Sequence, residues 1–225
     1  MKPRLSKKRD AAMTLFEVGV VIAIVMILVV VLLPMLANSH RKVSKLGCVN
    51  NLKQIGLAYR IWEGDNGDNY PMGISVTNGG SMEMVATGNV VQTFLVMSNE
   101  LSTPKILNCP EDKARNPAMN FGGLANSNIS YFVGVDVTNS SNPQLILSGD
   151  SNFQIGGVPV KSGLQPFGTN SSVAWTAARH IKTLPASSIA AGNIGLNDGS
   201  VQSTALPLYK FLRDTGVATN RFAFP

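Results

Sequence analysis

The chain has 225 residues and a mass of 23.9 kDa, with a formal net charge of +6 and an isoelectric point near 9.5. Because 44% of the residues are hydrophobic and only 14% are charged, the composition excludes a disordered chain and differs from the surface of a typical cytosolic enzyme. A basic protein binds nucleic acid through Lys and Arg side chains gathered on a folded surface, so their positions decide that question.

Most of the positive charge lies at the N-terminus. Residues 1–12 contain five basic residues and one acidic residue, whereas residues 61–225 contain nine basic and eleven acidic residues. The larger part of the chain therefore carries a net charge of −2, and we expect no nucleic-acid partner.

An uncharged apolar segment, residues 18–37, follows this basic stretch. A helix of about 20 residues spans the ~30 Å hydrocarbon core of a bilayer, so the segment predicts one transmembrane helix. Basic residues at positions 7–9 place the N-terminus in the cytoplasm by the positive-inside tendency, and the rest of the chain outside the inner membrane. The segment is longer than the apolar part of a cleaved secretory signal, and an uncleaved signal anchor is the simpler alternative.

Glu17 stands near the start of this apolar stretch. A carboxylate at mid-bilayer costs about 2.5–3.5 kcal/mol on insertion scales, and less near the interface. No Lys, Arg or His lies between Met13 and Asn38, so we expect its partner to come from elsewhere. If the chain is cut before Met13, the new α-amino group supplies a positive charge one helical turn away or on a neighbouring subunit.

The sequence Lys-Arg-Asp-Ala-Ala at residues 8–12, followed by Met-Thr-Leu-Phe-Glu at residues 13–17, resembles the class III leader and cleavage site of type IV pilins and type II secretion pseudopilins. The resemblance implies that a prepilin peptidase cuts between Ala12 and Met13 and methylates the new amine of Met13. It also implies that Glu17 pairs with this amine during filament assembly. Ala12 and Met13 stand where the family usually has Gly and Phe.

Pro34 lies inside the apolar segment, where a proline removes a backbone hydrogen bond and kinks or opens a helix. Its position resembles that of the pilin proline near which the helix melts in assembled filaments. An ordinary transmembrane proline is the alternative.

The helical pattern continues beyond the apolar segment. Apolar residues recur at spacings of four and three, which places them on one stripe facing a globular domain: Cys48, Leu52, Ile55, Tyr59 and Trp62. The turn-forming run at residues 63–69 ends the helix. The predicted organisation is a leader at 1–12, a transmembrane helix that also forms the filament core at 13–37, an amphipathic continuation at 38–63 and an extracytoplasmic head at 64–225.

The head shows short apolar runs separated by Gly, Asn, Ser and Pro. Residues 129–137 and 144–148 predict strands joined by a turn at 139–143, residues 90–97 fit a short helix or a strand, and residues 206–215 predict a short helix. A helix followed by an antiparallel sheet is an α+β arrangement, and the resemblance implies the pilin-like fold.

Near the C-terminus, residues 192–197 and 200–203 predict a hairpin with Asp198 and Gly199 as a two-residue turn. Together with the residues around Cys48 and Cys109, this segment resembles the pilin-like proteins of planctomycete and verrucomicrobial type. Their C-terminal motif is His, nine residues and Asp-Gly. Here Ser188 stands ten residues before Asp198, and the nearest histidine is His180.

Cys48 and Cys109 are the two cysteines, and both lie on the side of the membrane where disulfides persist. We expect a Cys48–Cys109 disulfide that ties the long helix to the loop at 108–112, with two independent thiols as the alternative. In the chain-entropy model such a cross-link contributes about 4 kcal/mol.

The sequence predicts neither a resident metal nor a cofactor. Short ligand spacings typical of structural zinc sites are lacking among His40, Cys48, Cys109 and His180. Calcium, which pseudopilins resembling this chain can hold in a head-domain loop, is retained as an alternative. Its candidate ligands show no ligand pattern and equally suit turns: Asp65, Asp68, Asp150 and Asp198.

No nucleophile elbow, phosphate-binding loop or dinucleotide fingerprint occurs in the sequence, so an enzyme is not expected. The leading hypothesis is a structural subunit of a type II secretion pseudopilus or a type IV pilus-like filament. Its expected partners are other pilin-like subunits, the prepilin peptidase and an inner-membrane assembly platform. The alternatives are a single-pass anchored extracytoplasmic binding or adhesion protein and a membrane-tethered enzyme.

Overall fold

A computed structural model describes residues 15–139, 142–184, 187–205 and 208–225. The expected cleavage and methylation site at Ala12 and Met13 lies outside the described residues. The chain divides between Val43 and Ser44 into two units.

A long helix, α1 (Leu15–Asp65), contributes to both units. It runs through Pro34, so the proline does not end the helix, and it ends two residues beyond the predicted boundary at 63. From Leu15 to Leu33 it is long and apolar enough to cross a membrane, and every side chain in that range is exposed. The N-terminal unit therefore presents a surface along these residues that is apolar except at Glu17.

The second unit contains short helices and antiparallel strands. The remaining α-helices are α2 (Met82–Ala86), α3 (Val91–Val96), α4 (Ser98–Leu101) and α5 (Tyr209–Asp214). Short 3-10 turns lie at Pro71–Gly73, Val76–Asn78, Pro104–Leu107, Phe121–Gly123 and Asn126–Asn128. The strands are β1 (Tyr131–Gly134), β2 (Ile146–Asp150), β3 (Phe153–Ile155), β4 (Val158–Pro159), β5 (Gly163–Gly168), β6 (Val173–Trp175), β7 (His180–Leu184), β8 (Ser187–Leu196), β9 (Val201–Thr204) and β10 (Thr219–Phe224).

Within the described residues the strands form a seven-stranded sheet in the order β5-β10-β1-β2-β8-β7 and a three-stranded sheet in the order β4-β3-β6. The seventh strand of the large sheet, β9, pairs with the second half of β8, whereas β7 pairs with the first half. All strand pairs are antiparallel. The predicted α+β class, an N-terminal apolar helix followed by an antiparallel sheet domain, is confirmed at this level.

The apolar stripe of α1 belongs to the core of the second unit. Each of its five predicted members is buried, with Cys48, Ile55 and Tyr59 fully enclosed. They form one cluster with residues of the short helices and of β1, including Phe94 and Tyr131. The prediction from four-and-three spacing is therefore confirmed.

An aromatic cluster forms a second core, with neighbouring ring centroids 4.7–6.1 Å apart. It contains Phe132, Phe153, Phe167, Trp175, Phe222 and Phe224. These rings come from both sheets, so the cluster joins the small sheet to the large one.

The ambiguous segment at 90–97 is helical, as α3. The Val91 backbone N–H donates to the Asn89 side-chain oxygen at 3.1 Å, which satisfies one of the unpaired amides in the first turn of this helix. The predicted strand at 129–137 is shorter, as β1, and the strand predicted at 144–148 begins and ends two residues later, as β2.

The predicted hairpin between β8 and β9 is present. The prediction that Asp198 and Gly199 alone form its turn is wrong. The loop has three residues, 197–199, because the Leu196 N–H donates to the Ser200 carbonyl at 2.9 Å. Gly199 has φ +85° and closes the loop as a glycine bulge.

Asn197 explains why this loop is longer than predicted. Its buried side chain donates to the carbonyls of Asn139 and Asn142 at 3.0 and 2.8 Å and accepts from the Tyr70 hydroxyl at 2.9 Å. The residue therefore leaves the strand to bond with neighbouring loops.

Candidate functional site

Glu17 interrupts the apolar surface of the N-terminal unit. Its side chain is exposed, as are those of its neighbours Phe16, Val20 and Val21. A charge in this setting faces whatever surrounds the helix, whether lipid or another protein. Glu17 is one of the two residues expected to form the assembly charge pair. The other, Met13, lies outside the described residues.

In the second unit, Cys48 of α1 and Cys109 form a disulfide with a Cα–Cα separation of 5.0 Å. The same contact region is held by the Asn51 side chain, which donates to the Asn108 carbonyl at 2.9 Å. Helix α1 and the loop at 108–112 are therefore joined by a covalent bond and a hydrogen bond within this unit.

Asp112 of the same loop forms a buried ion pair with Arg179. Arg179, just before β7, donates to the Asp112 carboxylate at 2.7 Å, to the Ser130 carbonyl at 2.6 Å and to the Ser151 hydroxyl at 2.9 Å. The side chains of Arg179 and Asp112 are 5% and 4% exposed. Burial lowers the pKa of Arg179, and the negative charges of Asp112 and Asp150 oppose that shift.

Asp112 is further surrounded by donors. It accepts from the Ser130 hydroxyl at 2.8 Å and from Arg115 at 3.2 Å. These bonds satisfy a carboxylate that would otherwise be expensive to bury.

A second polar group runs across the strands beside this ion pair. The Asp150 carboxylate accepts from the backbone and side-chain N–H groups of Asn193 at 2.7 and 2.8 Å. Asn193 in turn accepts a short hydrogen bond from the Ser203 hydroxyl. Asp150, Asn193 and Ser203 come from β2, β8 and β9, so antiparallel pairing aligns them in one row.

Tyr131 of β1 lies opposite Asp150 in the strand register and continues this row. Burial raises the pKa of its hydroxyl, and the negative charge of Asp150 adds to the rise. Tyr131 therefore stays neutral in the folded protein at physiological pH.

His180, the first residue of β7, reaches this row from the side. Its Nε2 atom lies 3.2 Å from the Asp150 Oδ2 atom, 3.2 Å from the Asn193 amide nitrogen and 3.5 Å from Cys109 Sγ. The sulfur atoms of Cys48 and Cys109 and a ring nitrogen of His180 all lie within 4.8 Å of one another.

No short spacing links these residues in the sequence, but β7 brings His180 close to Cys109, which lies 71 positions earlier in the chain. The fourth residue considered, His40, lies on α1 in the other unit.

The aspartates considered for calcium are dispersed. Asp65 ends α1 and is exposed, Asp68 has φ +59° and is exposed, and Asp198 lies in the β8–β9 loop. Asp150 is buried with His180. In the described part of the chain these four do not gather into one ligand set.

Sequence reasoning missed the buried polar row and the Arg179–Asp112 pair. Their members are separated by many residues and are ordinary in type, so no local spacing identifies them. The strand order is the signal that brings them together, and the strand containing His180 was not predicted.

Comparison of the chain with family models, with curated proteins and with solved structures found no match.

Proposed function

We propose that the chain is a prepilin-like structural subunit of a type II secretion pseudopilus or a type IV pilus-like filament, with a pilin-like fold. In this proposal a prepilin peptidase removes residues 1–12 in the cytoplasm and methylates the amine of Met13. Before assembly, the processed subunit remains in the inner membrane with its head in the periplasm. An assembly platform then moves it into a filament with other pilin-like subunits.

The observation that carries the proposal is the exposed carboxylate of Glu17 on a helix surface that is otherwise apolar from Leu15 to Leu33. In a filament that extends out of the membrane, burial of this surface among its copies keeps it out of water. A methylated Met13 amine on a neighbouring subunit would neutralise Glu17 in the low-dielectric bundle. The charge then selects the register between subunits, because only a stagger that pairs the two groups avoids a buried unpaired charge.

The antiparallel head supports the same proposal. Its disulfide and the buried stripe of α1 fasten the second half of the helix to the sheet domain of the second unit. A filament subunit needs a head that stays folded while its helix is extracted from the membrane.

Substitution of Glu17 by Ala tests the proposal. We expect peptidase cleavage to remain largely intact while incorporation into filaments falls at least about tenfold, since an amine left unpaired in the bundle costs several kcal/mol. Incorporation is measured as the ratio of subunit in sheared filaments to subunit in membranes. Glu17→Asp, which keeps the charge, serves as the matched control and should retain most assembly.

Unchanged assembly of Glu17→Ala would contradict the charge-pairing account. The same apolar helix also suits a single-pass anchor for an extracytoplasmic binding protein. That alternative expects residues 1–12 to persist and Glu17 to be dispensable.

A further inference from the structure

One side of α1 in the second unit is exposed and apolar. Leu46, Leu57 and Ile61 are 67%, 59% and 47% exposed. Because an α-helix has 3.6 residues per turn, these three positions fall on one side of α1, opposite the buried stripe that begins at Cys48. The exposed side chain of Lys53 lies on the same side, one turn before Leu57. We call these four residues, Leu46, Lys53, Leu57 and Ile61, the helix face.

A second exposed apolar surface lies on α2 and on the 3-10 turn before it. Val76, Met82 and Met84 are 40%, 42% and 37% exposed, and exposed Glu83 stands between the two methionines. The Glu83 carboxylate accepts from the Ser75 hydroxyl at 2.6 Å and from the Val76 N–H at 2.8 Å, so the turn and the helix form one surface. We call Val76, Met82, Glu83 and Met84 the methionine patch.

Glu83 is a negative charge at neutral pH. The hydrogen bonds from the Ser75 hydroxyl and the Val76 N–H lower the pKa of its carboxyl group. The methionine patch therefore combines apolar side chains with one anion, as the helix face combines apolar side chains with one cation.

The charges of the two surfaces are opposite and are not neutralised within one copy. Residues 44–60 contain three basic and no acidic residues, whereas residues 61–104 contain five acidic and no basic residues. In the part of the chain that the structure describes, neither Lys53 nor Glu83 has an ion-pair partner. Like charges repel, so contact between two copies is favoured where unlike surfaces meet and disfavoured where two helix faces meet.

The apolar parts of the two surfaces also suit each other. Methionine side chains are unbranched and flexible, so Met82 and Met84 can fill the irregular surface around Leu57 and Ile61. Contact between the surfaces would remove apolar side chains of both from water.

We propose that the helix face of one copy binds the methionine patch of a second copy, with Lys53 paired to Glu83 across the contact. This inference rests on the proposed function, in which copies of the chain lie side by side in a filament. Because two different surfaces meet, each copy retains one free surface of each kind, and the contact repeats along an assembly instead of closing a two-fold pair. It adds a contact between sheet domains to the charge pair expected at Glu17.

A photoreactive phenylalanine derivative in place of Leu57 tests which surface lies opposite the helix face. The full-length chain that carries it is expressed with a differently tagged, unsubstituted copy in cells that contain the peptidase. Irradiation of membranes and sheared filaments should give a product with both tags, cross-linked to residues 76–84 of the unsubstituted copy. The same derivative in place of Val158, which is 65% exposed on β4, is the matched control and should give no such cross-link.

Charge reversal tests the ion pair. Lys53→Glu and Glu83→Lys each place like charges opposite one another, and each should lower the ratio of subunit in sheared filaments to subunit in membranes by about three- to tenfold. The double variant restores unlike charges and should recover most of the assembly. Lys161→Glu makes the same charge change at another exposed position and should leave the ratio unchanged.

The inference is overturned if Leu57 cross-links in filaments only to other residues or to another protein. It is also overturned if both single charge variants assemble normally, or if the double variant assembles no better than they do. Each of these results leaves the proposed function standing, because filaments are still made. A cross-link from position 57 to residues 76–84 between copies in membranes of cells that make no filaments would support the contact and contradict the proposed function.

Discussion

At the scale of single residues, the Arg179 guanidinium is a buried charge in the second unit with several partners. It contacts Asp112, Ser130 and Ser151, and it is almost completely buried. Arg221 makes an ion pair with Asp136 on the surface, where its side chain is 49% exposed. The same chemical pair therefore occurs in two dielectric environments within one chain.

Replacement of Arg179 by Met should lower the free energy of unfolding by about 3–5 kcal/mol, because Asp112 loses a buried partner. Arg221→Met removes an exposed pair and should cost at most about 1 kcal/mol. Urea unfolding of the full chain in detergent measures both values. Equal losses in the two variants would show that burial does not determine the contribution of these pairs.

Single residues also show where sequence reasoning stops. Four-and-three spacing along one helix identifies buried positions such as Cys48 and Tyr59, since one face of a helix repeats with that period. No comparable rule locates Asp150 beside His180, because they meet only after β2, β8 and β7 pair. Strand order, and not local spacing, brings the buried side chains of Asp150 and His180 together.

At the scale of secondary-structure elements, β8 depends on glycine for its contact with β6. A Cβ atom on Gly192 would lie 2.3 Å from the Trp175 ring, whereas a Cβ atom on Gly195 of the same strand would lie 3.5 Å from the nearest atom. Trp175 packs directly against the bare backbone of Gly192, and this contact attaches the small sheet to the large one.

Gly192→Ala should therefore lower the free energy of unfolding by about 1–3 kcal/mol, because the tryptophan ring must move. It should also shift tryptophan fluorescence in the folded protein. Gly195→Ala is the matched control, with little change in either measurement. A Gly192→Ala variant as stable as the control would contradict the packing described for β6 and β8.

The elements differ in how well their sequences predict them. Helix α1 is apparent from its long apolar run and its stripe, and the β8–β9 hairpin from its Asp-Gly dipeptide. The predicted loop length was wrong because Asn197 bonds to Tyr70 and to two carbonyls of the connection between β1 and β2 instead of continuing the strand. Such long-range bonds override local turn preference.

At the scale of the whole molecule, the disulfide closes a loop of 61 residues within the second unit. Replacing both Cys48 and Cys109 by Ala should lower the free energy of unfolding by about 4 kcal/mol, because the unfolded chain regains the entropy of that loop. Urea unfolding measures the loss. The unsubstituted chain, reduced and measured under the same conditions, should approach the double variant, and full stability of that variant would contradict the account.

The basic and acidic residues are distributed unevenly along the whole chain. The basic excess of residues 1–12 precedes a helix apolar enough to cross a membrane, whereas the sheet domain belongs to a part of the chain with slightly more acidic than basic residues. We interpret the basic stretch as a topology signal. This interpretation, like the cleavage site, comes from the sequence, because residues 1–14 lie outside the described structure.

The central claim is that the chain is processed as a prepilin, and mass spectrometry of the mature N-terminus tests it most directly. Protein isolated from the membrane of cells that contain the peptidase should begin at Met13 and carry one added methyl group on its amine. The same protein from cells without the peptidase should retain residues 1–12. An N-terminus at Met1 or Lys2 in cells with an active peptidase would contradict the claim.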